Sequence, residues 1–171
     1  MRGLGASAAL LLALAACERA PEQVTVAASK AEPAVVIGNW RAAETVVHDG
    51  GGVTVETRES RTDYRPDGSF GYLALLRVSG GRLSADGLDF SMDASGRWSL
   101  AGTTLQERFT AVSIKPQLDA EPQLETLAKV MSDEALARPL SRSELVSAEP
   151  GRVVLRDAES GRTVTYLRLP R

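Results

Sequence analysis

Between residues 34 and 114, apolar and polar positions alternate in short runs separated by glycine-rich breaks, the pattern of half-buried strands. Val35-Val36-Ile37-Gly38-Asn39-Trp40 opens as a β-branched run and leads into Glu44-Thr45-Val46-Val47-His48. Asp49-Gly50-Gly51-Gly52 reads as a turn, since glycine enters positive φ without strain. Val53 to Thr62 is strand-like, with Val53, Val55 and Thr57 on one face. Tyr64-Arg65-Pro66-Asp67-Gly68-Ser69-Phe70 is the clearest hairpin signal: proline presets φ, aspartate offers an acceptor, and glycine takes a left-handed position. Phe70 to Val78 is the next strand, broken by Gly80-Gly81. Leu83 and then Leu88-Asp89-Phe90-Ser91-Met92 alternate, and Asp93-Ala94-Ser95-Gly96 has the composition of a turn. Trp98 and Leu100 alternate before Gly102, and Leu105 to Ile114 follows with Leu105 and Phe109 on one side. About seven strands at this spacing predict an up-and-down antiparallel meander.

The period then changes. Pro116 ends the strand series and Pro122 suits a first helical turn. Leu124, Leu127 and Met131 recur at i, i+3 and i+7, with Glu121, Glu125 and Lys129 outside, which predicts an amphipathic helix. The helix continues or restarts at Ser132-Asp133-Glu134 and stops at Pro139. Its apolar stripe suits a lid or plug on a barrel. Strands return at Ser143 to Ser147, Arg152 to Arg156 and Thr163 to Leu169, with a turn at Glu159-Ser160-Gly161. The fold class expected is mostly β: an up-and-down antiparallel barrel with one amphipathic helix inserted before the last strands.

The beginning of the chain has another character. Arg2 precedes an apolar core from Ala8 to Leu14, about the length of a signal-peptide h-region. A bilayer span needs ~20 apolar residues, so this run is too short. Leu14-Ala15-Ala16-Cys17 holds the single cysteine of the chain. It resembles the lipobox of bacterial lipoproteins. That resemblance implies removal of residues 1–16, diacylglycerol on the Cys17 sulfur and usually a further acyl chain, such as palmitate, on its amine. Two or more chains anchor a protein stably, at ~0.8 kcal/mol per buried CH₂. Lipidation also consumes the only thiol, in keeping with an oxidising compartment. Residues 17–33, an acylated N-terminus and linker with Pro21 and Pro33, would then carry a domain of residues 34–171. Glu18 in place of an aspartate leans toward the outer membrane, with the domain facing the periplasm.

Charge narrows the partners. The chain has 20 Lys+Arg and 22 Asp+Glu, a net charge of −2; removing residues 1–16 takes away Arg2 and leaves −3. That balance offers no footprint for nucleic acid. Chemistry is sparse, and no catalytic residue or cofactor is expected. The single histidine, His48, falls in a polar strand end and reads as a surface residue. A zinc site wants several N or S ligands. Asp86, Asp89 and Asp93 are close in sequence but lack the EF-hand loop pattern. Neither a G-x-S-x-G elbow nor a P-loop occurs. The expectation is a protein that is not an enzyme and holds no metal.

Four motifs in order carry a further resemblance. Gly38-Asn39-Trp40 is similar to the G-x-W opening of lipocalins and their calycin relatives. Tyr64 to Phe70, then Gly96-Arg97-Trp98-Ser99-Leu100 and Leu105, resemble bacterial lipocalin-like outer-membrane lipoprotein domains, and Val164-Thr165-Tyr166-Leu167-Arg168 resembles their last strand. The likeness spans residues 35 to 169, and the inserted helix departs from it. It implies a closed or nearly closed barrel in which Trp40 packs at the closed end under a basic residue of the last strand, here Arg168. A barrel of about eight strands is filled by side chains or holds one small ligand. Phe70, Tyr72, Phe90, Met92, Phe109 and Tyr166 are candidates for a cavity wall. Two functions stay open: binding of a small apolar or amphipathic molecule, and a filled barrel that contacts an envelope protein or inhibits a hydrolase.

Overall fold

A computed structural model describes residues 32–170 other than 51, 82, 84, 85, 118–121 and 139. The lipobox, Cys17, most of the linker and Glu121 lie outside the described residues. Nine strands form one sheet: β1 (Gly38–Ala42), β2 (Val46–Gly50), β3 (Val53–Tyr64), β4 (Ser69–Gly80), β5 (Leu88–Ala101), β6 (Thr104–Pro116), β7 (Ser141–Glu149), β8 (Arg152–Asp157) and β9 (Thr163–Arg168). One helix, α1 (Pro122–Ala137), stands between β6 and β7. From β3 to β9 every strand pairs antiparallel with its sequence neighbours. β1 pairs with β3 on one side and β9 on the other, which closes an eight-strand antiparallel barrel. β2 continues along the same edge of β3, with Val46 opposite Thr57 and Gly50 opposite Val53. β1 and β2 therefore act as one strand interrupted at residues 43–45.

The Pro66-Asp67-Gly68 turn forms as its composition predicts. Asp67 Oδ1 accepts from the Ser69 N–H at 2.9 Å and the Ser69 hydroxyl at 2.6 Å. These bonds hold the Asp67 carboxyl below the usual carboxylate range. Gly68 has φ +76°, and a Cβ there would touch the Trp98 carbonyl oxygen at 3.4 Å. Gly68→Val is expected to destabilise the protein by about 1 kcal/mol or more, because a β-branched residue is strained at positive φ. Thermal unfolding checks this, and an unchanged Tm refutes it.

Two sequence expectations need correction. Asp93-Ala94-Ser95-Gly96 is no turn: β5 runs straight through it, with Ala94 and Gly96 buried. Small residues sit there because the opposite strand and a neighbouring ring come close, as the Gly96 contacts show. The β-branched Val35-Val36-Ile37 is also not a strand. Pro33–Val35 is a 3-10 turn, and β1 begins only at Gly38. Pro33 has no N–H to give to a ladder, and Val36, 1 % exposed, packs across the barrel end.

The helix is continuous. Its Leu127, Ala128 and Met131 pack on a buried cluster that includes Leu76, Phe90, Met92 and Ile114. β6 pairs with β7 only through Thr104–Glu107, so its other half presents a sheet edge on that side. α1 lies along that half. Ser132 Oγ accepts from the Ile114 N–H at 3.0 Å and donates to the Ala128 carbonyl at 2.8 Å. The helix thus covers apolar surface and satisfies an edge donor, the usual remedy for an open strand.

Candidate functional site

Inward-facing side chains form two layers. The lower layer holds Val36, Trp40, Tyr64, Phe70, Trp98, Leu105, Leu145, Val153 and Leu155. The upper holds Ala74, Leu76, Val78, Phe90, Met92, Ala94, Ile114 and Ala128 of α1. Tyr72 and Phe109 pack against both. Of the cavity-wall candidates, Phe70, Phe90 and Met92 are buried, while Tyr72, Phe109 and Tyr166 keep some accessible surface. Ring centroids lie 5.5 Å apart for Phe70 and Phe109 and 5.9 Å apart for Tyr72 and Phe109, so this set joins the layers.

The lower end is shut. Trp40 stands opposite Arg168 in the β1–β9 ladder, and the Arg168 guanidinium carbon lies 4.3 Å from the indole centroid. Arg168 Nη1 donates to the Ile37 carbonyl at 2.9 Å, and the Trp40 Nε1–H donates to the Val36 carbonyl at 2.7 Å. Gly38, with φ +132°, leaves room for this: a Cβ there would lie 2.5 Å from Arg168 Nη1. Arg168 thereby ties the last strand to Trp40 of the first by a cation–π contact and to the segment before it through the Ile37 and Val35 carbonyls.

Above that seal is a polar group that sequence reading missed. Glu107 is opposite Trp98 and Ser141 in the β6 ladders. It accepts a hydrogen bond from the Tyr64 hydroxyl at 2.7 Å, across two intervening strands. Burial pushes the Glu107 carboxyl above its usual range, and the Tyr64 bond only partly offsets this. Burial, with the nearby Glu107 carboxyl, raises the Tyr64 phenol well above its ordinary value. Burial likewise pushes Tyr72 up to about 12 and raises Tyr166, and Glu107 adds to both. Ser60 lies beside the Tyr72 hydroxyl and works against its shift. One carboxyl and three phenols therefore share the middle of the barrel. Tyr72, Glu107 and Tyr166 are half-buried.

Outside the barrel, a groove of about 490 Å³ crosses β1, β3, β4 and β5, lined by Asn39, Arg61, Arg65, Leu73 and Asp93 among others. Arg65 is tied to Asp63 at 3.0 Å, and Leu73 is 53 % exposed beside it. His48 lies exposed on β2 and near enough to Asp157 to help lower its carboxyl; partial burial opposes that lowering and is outweighed, chiefly by hydrogen bonds from Ser160. Asp89 is held by Arg77 through two contacts of 2.8 Å. Among the described residues, no group of three His, Cys, Asp or Glu side chains is placed to hold a metal ion. No protein-family model matches the chain, and no curated protein matches it.

Proposed function

We propose that this chain is a lipocalin-like binding protein, tethered to the outer membrane by a lipidated Cys17 and facing the periplasm, that takes one small amphipathic molecule into its barrel. The observation that carries the reading is the interior itself: sealed below by Trp40 and Arg168, apolar above, and polar between at Glu107, Tyr64, Tyr72 and Tyr166. A mostly apolar enclosure with a few convergent polar groups is the common build of a small-molecule site. Titration of the full chain with the neutral apolar fluorophore N-phenyl-1-naphthylamine tests it. Saturable binding of one probe per chain, abolished by Met92→Trp, supports the reading. Absence of saturable binding refutes it and favours a filled barrel that meets a partner protein through the outer face, where Leu73 and Leu75 are exposed.

Anchoring is supported by the Leu14-Ala15-Ala16-Cys17 motif alone. Cys17→Ser is expected to release the chain from membranes or leave it as an unprocessed precursor. A palmitate analogue should then label the wild type only; equal labelling of the variant overturns the assignment.

A further inference from the structure

We propose that the barrel selects amphiphiles with a cationic head group, an alkylammonium in particular, held against Glu107 among the Tyr64, Tyr72 and Tyr166 rings with the alkyl chain in the upper apolar layer. This rests on the ligand-binding reading above and names the class of ligand.

Glu107 is the starting point. An enclosed carboxylate needs a cation or several donors to remain charged. Here its hydrogen bond comes from Tyr64 Oη, and no arginine or lysine among the described residues contributes to its electrostatics. Arg168, at the lower end, is committed to the Trp40 ring and to the Ile37 and Val35 carbonyls. The wall supplies no counter-charge, so without a guest burial favours the protonated carboxyl, and a cationic head group would take the place of that proton.

The surroundings suit such a guest. The aromatic face attracts cations, and rings gathered about a carboxylate are a recurrent way to hold substituted ammonium ions. Tyr64, Tyr72 and Tyr166 all lie close enough for the Glu107 charge to act on their phenols. Phe109, two residues along β6 on the same face, continues the aromatic wall toward the upper layer. That layer, with Leu76, Val78, Phe90 and Met92 and flanked by Val53 and Val55, is apolar and suits a hydrocarbon tail. An anionic head is disfavoured at the same place. It would set a second carboxylate beside Glu107, and one of the two would have to take up a proton.

Calorimetric titration of the full chain with three C12 probes below their micelle-forming concentrations tests this: dodecyltrimethylammonium, dodecanol and laurate. The expected result is that the ammonium binds at least tenfold more tightly than either other probe. Glu107→Gln, which keeps the side-chain shape and an acceptor for Tyr64, should remove that preference and leave dodecanol affinity within about twofold. Its thermal unfolding serves as the check that the fold is retained. Dodecanol binding without a preference for the ammonium, or a preference that survives Glu107→Gln, overturns the head-group assignment and leaves the ligand-binding reading standing. If none of the three probes binds, the ligand-binding reading itself falls and takes this inference with it.

Discussion

Trp40→Ala is expected to lower stability by about 4 kcal/mol, the middle of the range for emptying a buried aromatic site. Trp40 is 1 % exposed and heads the largest fully buried side chains. Its loss has three physical parts. Removal of the ring leaves a void in the lower layer beside Val36 and Tyr64. The Arg168 guanidinium loses its aromatic face, a contact of ~0.5–2 kcal/mol. The Val36 carbonyl loses its indole donor, and an unsatisfied buried acceptor costs about 1–3 kcal/mol. These parts share atoms and are not additive. Against a total stability of about 5–15 kcal/mol, the variant keeps a small margin at best. Arg168→Met separates the charge from the packing: its stem still covers the ring, so the expected loss is about 1–2 kcal/mol. Urea unfolding reads both as falls in the midpoint. A Trp40→Ala unfolding free energy within about 0.5 kcal/mol of wild type, at about equal slope, refutes the role of the seam.

The ease with which the sequence can be read follows the range of the interactions. The Pro66-Asp67-Gly68 turn is legible because Asp67, Gly68 and Ser69 satisfy one another locally. The helix is legible because three apolar residues and a covering face recur with its own period. The barrel seam is legible only through the Gly38-Asn39-Trp40 motif, since pairing Trp40 with Arg168 crosses 128 positions and no local pattern encodes it. Strand phase is partly concealed. Register shifts between Thr57 and Glu59 in β3, at Ser95/Gly96 against β6, and between Leu145 and Ser147 in β7 each displace the alternation by one residue. Thus Val53, Val55 and Thr57 share a face with Ser60, Thr62 and Tyr64. Glu107 was in plain view by the same rule. It lies between Leu105 and Phe109 at strand spacing, so alternation alone assigns it inward. A charge at that position conflicts with the expectation that charged residues face water, and that conflict was itself the signal of a site.

Gly96 shows why composition misled at residues 93–96, and its replacement is expected to have the other large effect. The residue lies in extended β5, opposite Phe70 on one side and Phe109 on the other. No positive φ requires glycine there. Space does. A Cβ would overlap the Arg108 carbonyl oxygen and lie 2.5 Å from Phe70 Cε1 and 2.7 Å from Cζ. The Phe70 ring can lie over the strand, with its centroid 5.5 Å from that of Phe109, only because this position carries no side chain. An added methyl has no easy escape. The Arg108 oxygen belongs to a backbone fixed in the β5–β6 ladder at its register shift, and Phe70 is 1 % exposed, with Tyr64 and Phe109 against it. Overpacking of this kind costs about 1–3 kcal/mol for added methylenes; backbone overlap puts Gly96→Ala at the top of that range and Gly96→Val beyond it. Gly102→Ala gives the contrast, for its Cβ meets nothing within 4 Å and the strain comes from φ +63° alone. The expected order of urea midpoints is therefore wild type, Gly102→Ala, Gly96→Ala, Gly96→Val, from highest to lowest. Phe70→Leu in the Gly96→Ala background should recover part of the loss, because a smaller side chain yields the space the methyl needs. If Gly96→Ala unfolds with the wild type, the strand passes this point more loosely than these distances state, and the joining of the two interior layers through Phe70 and Phe109 fails with it.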